Sequence, residues 1–401
     1  MRLVTRNRTL PYLSGRFFDG ISSGLFMMAL PWIMLSTPDM GTFIALVALT
    51  CTATSFVLTP FFATLIDRHS RKSLLILVQV VQSLTATIVL VAYLIHLDSH
   101  WLLAGAQLVF WVSSNLAWST NNAFTQENYQ RHEYASISGK QEIVMQATTL
   151  GAGALGVVLL QRWGMVEFAT FAAIASAIAA VSYIVTPYHQ QLRSNNQNSF
   201  VEQMKESRTI FAQQPHFYAF LLMSCLSYPI LTFLGKLVPI WFAENNISGD
   251  WYAGYNITFG FGSLLTGILV SRLLSLSSHQ TTMQYSMALV ALSLVGMSIA
   301  THPMYILMMT LVFGFFNALN RIARTNWMHH TIDVSQRGRV EGGLVLFSTS
   351  VQSVSYILIA YLARYDMTQW GFAIAAFTMF SAVLVMSQLN RSRALQAQIA
   401  N

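Results

Sequence analysis

Twelve long apolar runs dominate this chain, and they leave it little choice of environment. A helix needs about 20 apolar residues to cross the hydrocarbon of a bilayer. Runs of that length fall near 10–36, 41–66, 73–96, 101–125, 140–161, 165–187, 216–242, 251–274, 281–301, 303–326, 340–363 and 368–388. Only 9% of the 401 residues are charged, against about 25% in a soluble domain. Too little polar surface remains to cover a soluble particle. The expected fold class is an all-α membrane protein of twelve transmembrane helices. The first run is too long for the apolar core of a signal peptide and ends in no small-residue cleavage site. It is expected to be a retained first span.

The basic residues orient the spans. With the N-terminus inside, eighteen Lys and Arg fall in inner segments and only two, Arg162 and Arg364, in outer ones. Inner loops of membrane proteins carry this excess. One missed span would scramble the alternation, so the imbalance supports both the count and its parity. Trp101, Trp163, Trp241, Trp251 and Trp370 fall at the expected outer ends, where an aromatic belt sits. The net charge of +7 thus reflects topology. It is spread over many loops and forms no nucleic-acid patch. Cys51 and Cys225, the only two cysteines, lie inside apolar runs. They exclude a disulfide framework and a cysteine zinc site.

The longest polar break, 188–215, holds Asn195, Asn196, Asn198, Glu202, Lys205, Glu206 and Arg208. It divides the chain into an N-terminal six-helix bundle (1–187), a linker (188–215) and a C-terminal six-helix bundle with a short tail (216–401). The halves echo each other. Gly139-Lys140-Gln141-Glu142 recurs as Gly338-Arg339-Val340-Glu341, and at the same offset Asn121 meets Asn320. The ends of spans two and eight also correspond, Ala63 to Arg68 against Gly267 to Arg272. Two parallel six-helix repeats are the plan of the major facilitator superfamily.

After span two comes Ala63-Thr-Leu65-Ile-Asp67-Arg68-His-Ser70-Arg71-Lys72. This resembles that superfamily's loop motif Gly-x-Leu-Ala-Asp-Arg-x-Gly-Arg-Lys, with Ala63 and Ser70 where glycine is usual. The resemblance implies a conformational latch made by Asp67, Arg68, Arg71 and Lys72; topogenic loop charge is the other reading. Span one contains Arg16-Phe17 and Ala29-Leu30-Pro31. It is similar to the drug:H+ antiporter-3 branch, which includes enterobactin exporters and macrolide efflux proteins. Gly151, Gly153 and Gly156 resemble that branch's glycine-rich antiporter motif without its proline. Ordinary close helix packing accounts for them equally. The resemblance implies proton-driven export across a bacterial inner membrane, with both termini cytoplasmic. It implies a siderophore or a drug as cargo, and leaves room for siderophore import and for a periplasmic or outer-membrane efflux partner. No cofactor is expected.

Few polar residues interrupt the spans. A charge at the bilayer centre costs about 2.5–3.5 kcal/mol on insertion scales, so each is a functional candidate. Asp19 is the acid that falls well inside a span. It is a candidate proton carrier with Arg16, or else the two form a local ion pair one turn apart. Glu142 and Glu341 are expected to open spans five and eleven, as dipole caps or as gating acids. Gln107, Trp111, Asn115, Trp118 and Asn122 recur at steps of three and four along span four and share one face. Tyr228, Thr232 and Lys236 do the same in span seven, and Asn317 and Arg321 in span ten. In the resembled fold, spans 1, 4, 7 and 10 line a central cavity, which would here be basic, aromatic and amide-rich. Interhelical hydrogen bonding is the plainer reading. His329-His330 is expected in a cytoplasmic loop, with no partner at metal-ligand spacing. No phosphate-binding loop occurs. An intramembrane enzyme would need a nucleophile–base pair or metal ligands at depth, and the spans hold none. A non-transporting sensor or scaffold stays open.

Overall fold

The computed structural model describes residues 8–35, 41–160, 162–188, 209–247, 249–365 and 367–399. Most of the expected linker lies outside them. Every regular element among the described residues is a helix: α1 (Thr9–Leu35), α2 (Gly41–Arg68), α3 (Arg71–Leu94), α4 (His100–Asn128), α5 (Tyr134–Leu160), α6 (Met165–Val185), α7 (Pro215–Cys225), α8 (Ser227–Glu244), α9 (Gly249–Leu276), α10 (His279–Ser298), α11 (Pro303–Thr331), α12 (Arg337–Arg364) and α13 (Thr368–Ile399). Short 3-10 turns at Arg131–Glu133 and Val334–Gln336 precede α5 and α12. The fold is that of twelve membrane-spanning helices, the seventh in two pieces, α7 and α8. Nine spans, among the described residues, are long and apolar enough to cross a membrane by composition alone. The other three, α4, α5 and α10, carry more amides, hydroxyls and glycines.

Local chemistry sets the helix ends. Ser70 and Ser278 stand before α3 and α10, and each side chain accepts a backbone N–H three residues on, from Ser73 at 3.3 Å and Thr281 at 3.2 Å. Such caps satisfy amides that a helix start leaves open. The seventh span breaks at Leu226 because Pro229 offers no N–H to the turn before it. Side chains of α11 occupy the carbonyl beside the break: Asn320 Nδ2 and Arg324 Nη1 donate to Ser224 O at 3.0 and 2.9 Å.

The chain forms two compact units. Unit 1 comprises Met1–Glu133, Val144–Gln197 and Asp333–Gly342; unit 2 comprises Tyr134–Ile143, Asn198–Ile332 and Gly343–Asn401. The first ten residues of α5 thus belong with the later helices, and the start of α12 with the earlier ones. Unit 1 packs around Leu25, Phe26, Leu30, Phe110 and Phe168, with the Phe26 and Phe110 rings 4.7 Å apart. Apolar burial drives little association where the solvent is lipid, so close packing and hydrogen bonds carry it. Ser22 Oγ accordingly bonds Ala172 O at 3.1 Å and Ser176 Oγ at 2.9 Å. Small residues meet where α5 packs on α1: Thr148 lies against Gly20 and Ala152 against Gly24. In unit 2, α9 and α11 nearly touch backbones, so a β-carbon on Gly262 would sit 2.5 Å from Leu311 O. Ser263 Oγ and Thr266 Oγ1 of α9 donate to Gly314 O and Phe315 O of α11 at 3.2 and 2.7 Å.

Several expectations change. The tenth span runs on beyond its expected end at 326, to Thr331, as α11. His329-His330 forms its last turn, with His329 buried. The Tyr134 ring lies 4.8 Å from His329 and 5.2 Å from His330, and this packing keeps a polar stretch helical. Neither acid caps its helix, because α5 and α12 begin at Tyr134 and Arg337. Glu142 and Glu341 lie beyond the first turn, where the macrodipole is spent. Trp241 is buried against Phe242 and Phe372 rather than in a lipid-facing belt, whereas Trp101 and Trp370 are exposed. Cys51 and Cys225 are both buried, and neither forms a disulfide.

Candidate functional site

Asp19 is 7% exposed. Its backbone carbonyl accepts from Ser23 Oγ, and its carboxyl faces the Gln79 amide without closing a salt bridge among the described residues. Arg16 of α1 and Gln79 of α3 are its nearest polar neighbours. Gln79 is fully buried, with its amide directed at the acid. Tyr183 of α6 also lies near the acid, with its hydroxyl towards Asn121 and its ring over Gly15. The local Arg16–Asp19 ion pair does not form, and the acid instead faces two side chains from other helices. Gln79 and Tyr183 were absent from the sequence candidates. A signal existed in α3, where Gln79 and Gln82 stand one turn apart in an otherwise apolar span. Gln82 Nε2 bonds Ser113 Oγ at 3.0 Å and Ser114 Oγ at 3.2 Å.

Helix α4 carries one buried and one largely open set of polar side chains. One is buried: Asn121 Oδ1 accepts from Tyr12 Oη at 3.0 Å, and Thr125 lies beside the same hydroxyl. The other is the sequence-derived stripe, in which Trp111, Asn115 and Trp118 are exposed, Asn122 is half-buried and Gln107 is buried. Asn115 Nδ2 reaches Ser55 Oγ of α2 at 3.1 Å and Trp111 O at 3.0 Å.

Unit 2 repeats the buried arrangement. Asn320 Oδ1 accepts from Ser224 Oγ at 2.8 Å, as Asn121 accepts from Tyr12. Its open face carries exposed Tyr228 and Lys236 on α8, with Thr232 half-buried between them. On α11, Asn317 is buried with its Oδ1 unpartnered. Arg321 is not free for a ligand, because it forms a salt bridge with Glu142 of α5.

The motif residues divide the same way. In unit 1, Asp67 Oδ1 accepts from Gly338 N at 2.7 Å and Oδ2 from Arg339 N at 3.1 Å. Arg339 Nε stands 3.3 Å from the same oxygen. Arg71 is fully buried; it donates to Ala123 O at 2.8 Å and to Val334 O, and faces Asp67 at 3.9 Å and Glu127 at 3.6 Å. Lys72 donates instead to Ile184 O and Thr186 O, at 2.7 and 2.8 Å, tying α3 to the end of α6. Arg68 is exposed. Glu341 accepts from Asn122 Nδ2 at 3.1 Å and pairs with Arg337 at 3.3 Å. The pairs Asn122–Glu341 and Arg321–Glu142 join residues at matching places in the repeat.

The family model described as Major Facilitator Superfamily matches residues 12–276. Among solved structures, a bacterial homologue of the iron transporter ferroportin in an outward-facing state is similar, with a TM-score of 0.79 and 14% identity, covering 96% of this chain and 100% of that one. The transporter FucP in the outward conformation aligns with a TM-score of 0.75 and 12% identity, over 96% and 99% of the two chains. The human organic anion transporter MFSD10 aligns with a TM-score of 0.72 and 10% identity, over 95% and 99%. No curated protein matches the chain.

Proposed function

Because this chain belongs to the Major Facilitator Superfamily, and is therefore a multi-pass membrane transporter rather than an enzyme, we propose that it is a proton-coupled exporter of a small amphiphilic or anionic metabolite, a siderophore first among them. The cycle is alternating access. It sits in a bacterial inner membrane with both termini cytoplasmic, the orientation that the eighteen-to-two distribution of basic residues favours.

The observation that carries the cargo assignment is the open α4 face, where an amide lies between two exposed indoles. A face turned to lipid gains nothing from Asn115, whereas a flat polar ligand gains both stacking and hydrogen bonds. On unit 2, Tyr228, Thr232 and Lys236 supply the same chemistry with a positive charge, which suits a catecholate or carboxylate. Asn317 and Gln107 offer carbonyl oxygens, and Asn122 and Arg321 are shared with the acids they hold. Asp19 with Arg16 is the proton-coupling group. Asp67, Arg71, Lys72, Glu142 and Glu341 are latch residues whose partners change during the cycle, with Arg68 on the exposed side.

Deletion should trap the siderophore inside iron-starved cells, read by mass spectrometry of cell-associated and secreted metabolites. Reconstituted vesicles should move it when a pH gradient is imposed. Unchanged secretion together with no gradient-driven flux sinks the assignment. The same aromatic face favours a second reading, efflux of a bulky drug such as a macrolide. Raised drug sensitivity of the deletion strain with normal siderophore secretion would select it. Import of the siderophore would appear as lost uptake instead.

A further inference from the structure

We infer that His279 and His330, at the end of unit 2 where the start of α5 docks, form a pH-sensitive catch. Neutral imidazoles hold Tyr134 and the turn behind it, and protonated ones release them. The inference stands on unit 2 alone and requires neither a cargo nor a coupling ion.

Three elements meet at this place. Helix α5 contributes its first residue, Tyr134, α10 its first residue, His279, and α11 its last turn with His329 and His330. The Tyr134 ring is buried, 4.8 Å from His329 and 5.2 Å from His330, and the His330 ring lies 5.4 Å from His279. The four rings form one continuous cluster. One turn along, Asn326 Nδ2 donates to Ser138 Oγ at 3.1 Å, and Gly139 packs against Gly267 O. Ring contact thus holds the first turn of α5 to unit 2, and the next turn is held by a hydrogen bond and close packing.

Histidine is the side chain whose ordinary titration falls between about pH 5 and 8. Two neutral imidazoles pack against tyrosine as flat aromatic rings. Protonation puts charge into a place partly kept from water, and a second proton sets like charges side by side. Burial, and next the facing His330, hold the His279 imidazole below its ordinary value of 6.5. A base that is weaker in the docked joint than in the open one draws the joint open as it gains its proton. Docking is therefore strongest above the ordinary histidine value and begins to be lost as pH falls through it.

The charged groups on the packed elements are mostly basic, and basic neighbours oppose a further proton. Lys140 of α5 and Arg272 of α9 are exposed, and so is Arg391 of α13, beside the Asn390 that donates to Gln284 of α10. Arg321 of α11 pairs with Glu142, and Arg324 donates to Ser224 O. Of the acids adjacent in the chain, Glu133 pairs with Arg8, and Asp333 accepts from Ser335 N at 2.8 Å. The distribution of basic residues favours the inner side for this end of the spans, so the catch reads the pH of the inner compartment. What it releases is the first ten residues of α5, which group with unit 2, whereas the rest of α5 groups with unit 1.

Hydrogen–deuterium exchange of the full-length protein in lipid nanodiscs tests this. Protection of the peptide covering 134–143 is followed from about pH 8 down to about pH 5. Each value is referred to the unstructured exchange rate at the same pH. The expected result is a loss of protection of about tenfold, an ordinary size for one titrating group, confined to 134–143 and the helix ends it covers. His279→Gln and His330→Gln should each reduce that loss, and the double variant should abolish it. His216→Gln, at an exposed histidine near the start of α7, should leave it unchanged. Tyr134→Ala should give low protection at every pH, because the ring that is held has gone.

Wild-type protection that stays flat with pH overturns the inference, whatever the variants do. A full acid loss in the double variant places the titrating group elsewhere and overturns it too. So does a loss shared by all of unit 2, which is general acid unfolding. The wild-type profile remains decisive if a variant fails to fold.

Discussion

The start of α12 and the start of α5 occupy equivalent places in the repeat, yet different chemistry holds them. Unit 1 receives residues 333–342 through the carboxylate of Asp67, which accepts two backbone N–H groups and faces Arg339. Unit 2 receives residues 134–143 at the equivalent helix end, where Ser271 stands exposed in place of an acid. There the joint is steric: a β-carbon on Gly139 would sit 2.5 Å from Gly267 O. The charge has moved one turn deeper, to Arg321 and Glu142, where unit 1 has Asn122 and Glu341. Register has been kept across the repeat while polar partners have been reassigned. A repeat preserves backbone geometry readily, because many side chains fit one crossing. The electrostatics of each copy can then drift apart.

The largest effect should come from breaking the charged side of this comparison. Asp67→Ala strips the acceptor from two amides and a neighbour from fully buried Arg71. Removing one partner of a buried pair costs about 3–5 kcal/mol. The thermal midpoint in detergent should fall steeply, whereas Ser271→Ala should cost no more than about 0.5 kcal/mol, as exposed substitutions do. Equal losses at the two sites would refute the asymmetry.

The steric element is common to both joints. Gly338 lies against Ala63 O and Gly139 against Gly267 O, in each case with no room for a β-carbon. Gly139→Ala and Gly338→Ala should each cost about 1–3 kcal/mol, the usual range for overpacking. A benign alanine at either place would show that the close approach is not required.

Exchanging the deeper pair sharpens the contrast further. Arg321→Asn installs in unit 2 the residue that unit 1 has at position 122, and leaves Glu142, whose side chain is 1% exposed, with a neutral donor. A cost of about 1–2 kcal/mol is expected, from the difference between charge-assisted and neutral hydrogen bonds. Arg321→Ala should cost more than Arg321→Asn in the same melt. The reverse order would mean that the pair contributes nothing through hydrogen bonding.

The smallest effect concerns pH and lies outside the spans. Burial raises the Glu133 carboxyl, but the Gln130 N–H and Arg8 outweigh it and hold it below the usual value of 4.5. A depressed carboxylate contributes stability above its unfolded pKa and loses it as pH falls through the folded one. Wild type should therefore be more stable than Glu133→Gln at neutral pH, by about 0.5–1 kcal/mol for a half-buried pair at the surface. The gap should close below the carboxylate range. A gap independent of pH would assign the effect to packing.

Much of this was legible in the sequence. The α4 stripe emerged from its spacing, and the structure leaves Trp111, Asn115 and Trp118 exposed together. The motif around Asp67 was recognisable by residue order alone. The partners were not legible. Periodicity within one helix says which residues share a face, but not which other helix that face meets. Gln79 and Tyr183 are single polar residues in apolar helices and gain meaning only when α3 and α6 bring them to Asp19. Glu142 resembled a cap because the polar stretch from Tyr134 looked like a loop; packing against His329 and His330 keeps it helical. Trp241 resembled an interface residue because position along a span says nothing about the direction a ring faces.

The sequence by itself determined the spans, their alternation and the repeat. These depend on local hydrophobicity and on where Lys and Arg are placed, and both are written residue by residue. Only the tertiary structure decided which acid meets which base, that two helix starts group with the opposite sixes, and that Asp19 meets Gln79 of another helix as well as Arg16 of its own. Those outcomes depend on distances between residues as much as 272 positions apart. No local pattern encodes such distances, because inside a lipid-solvated bundle it is close packing, and not the apolar character of the chain, that selects the neighbours.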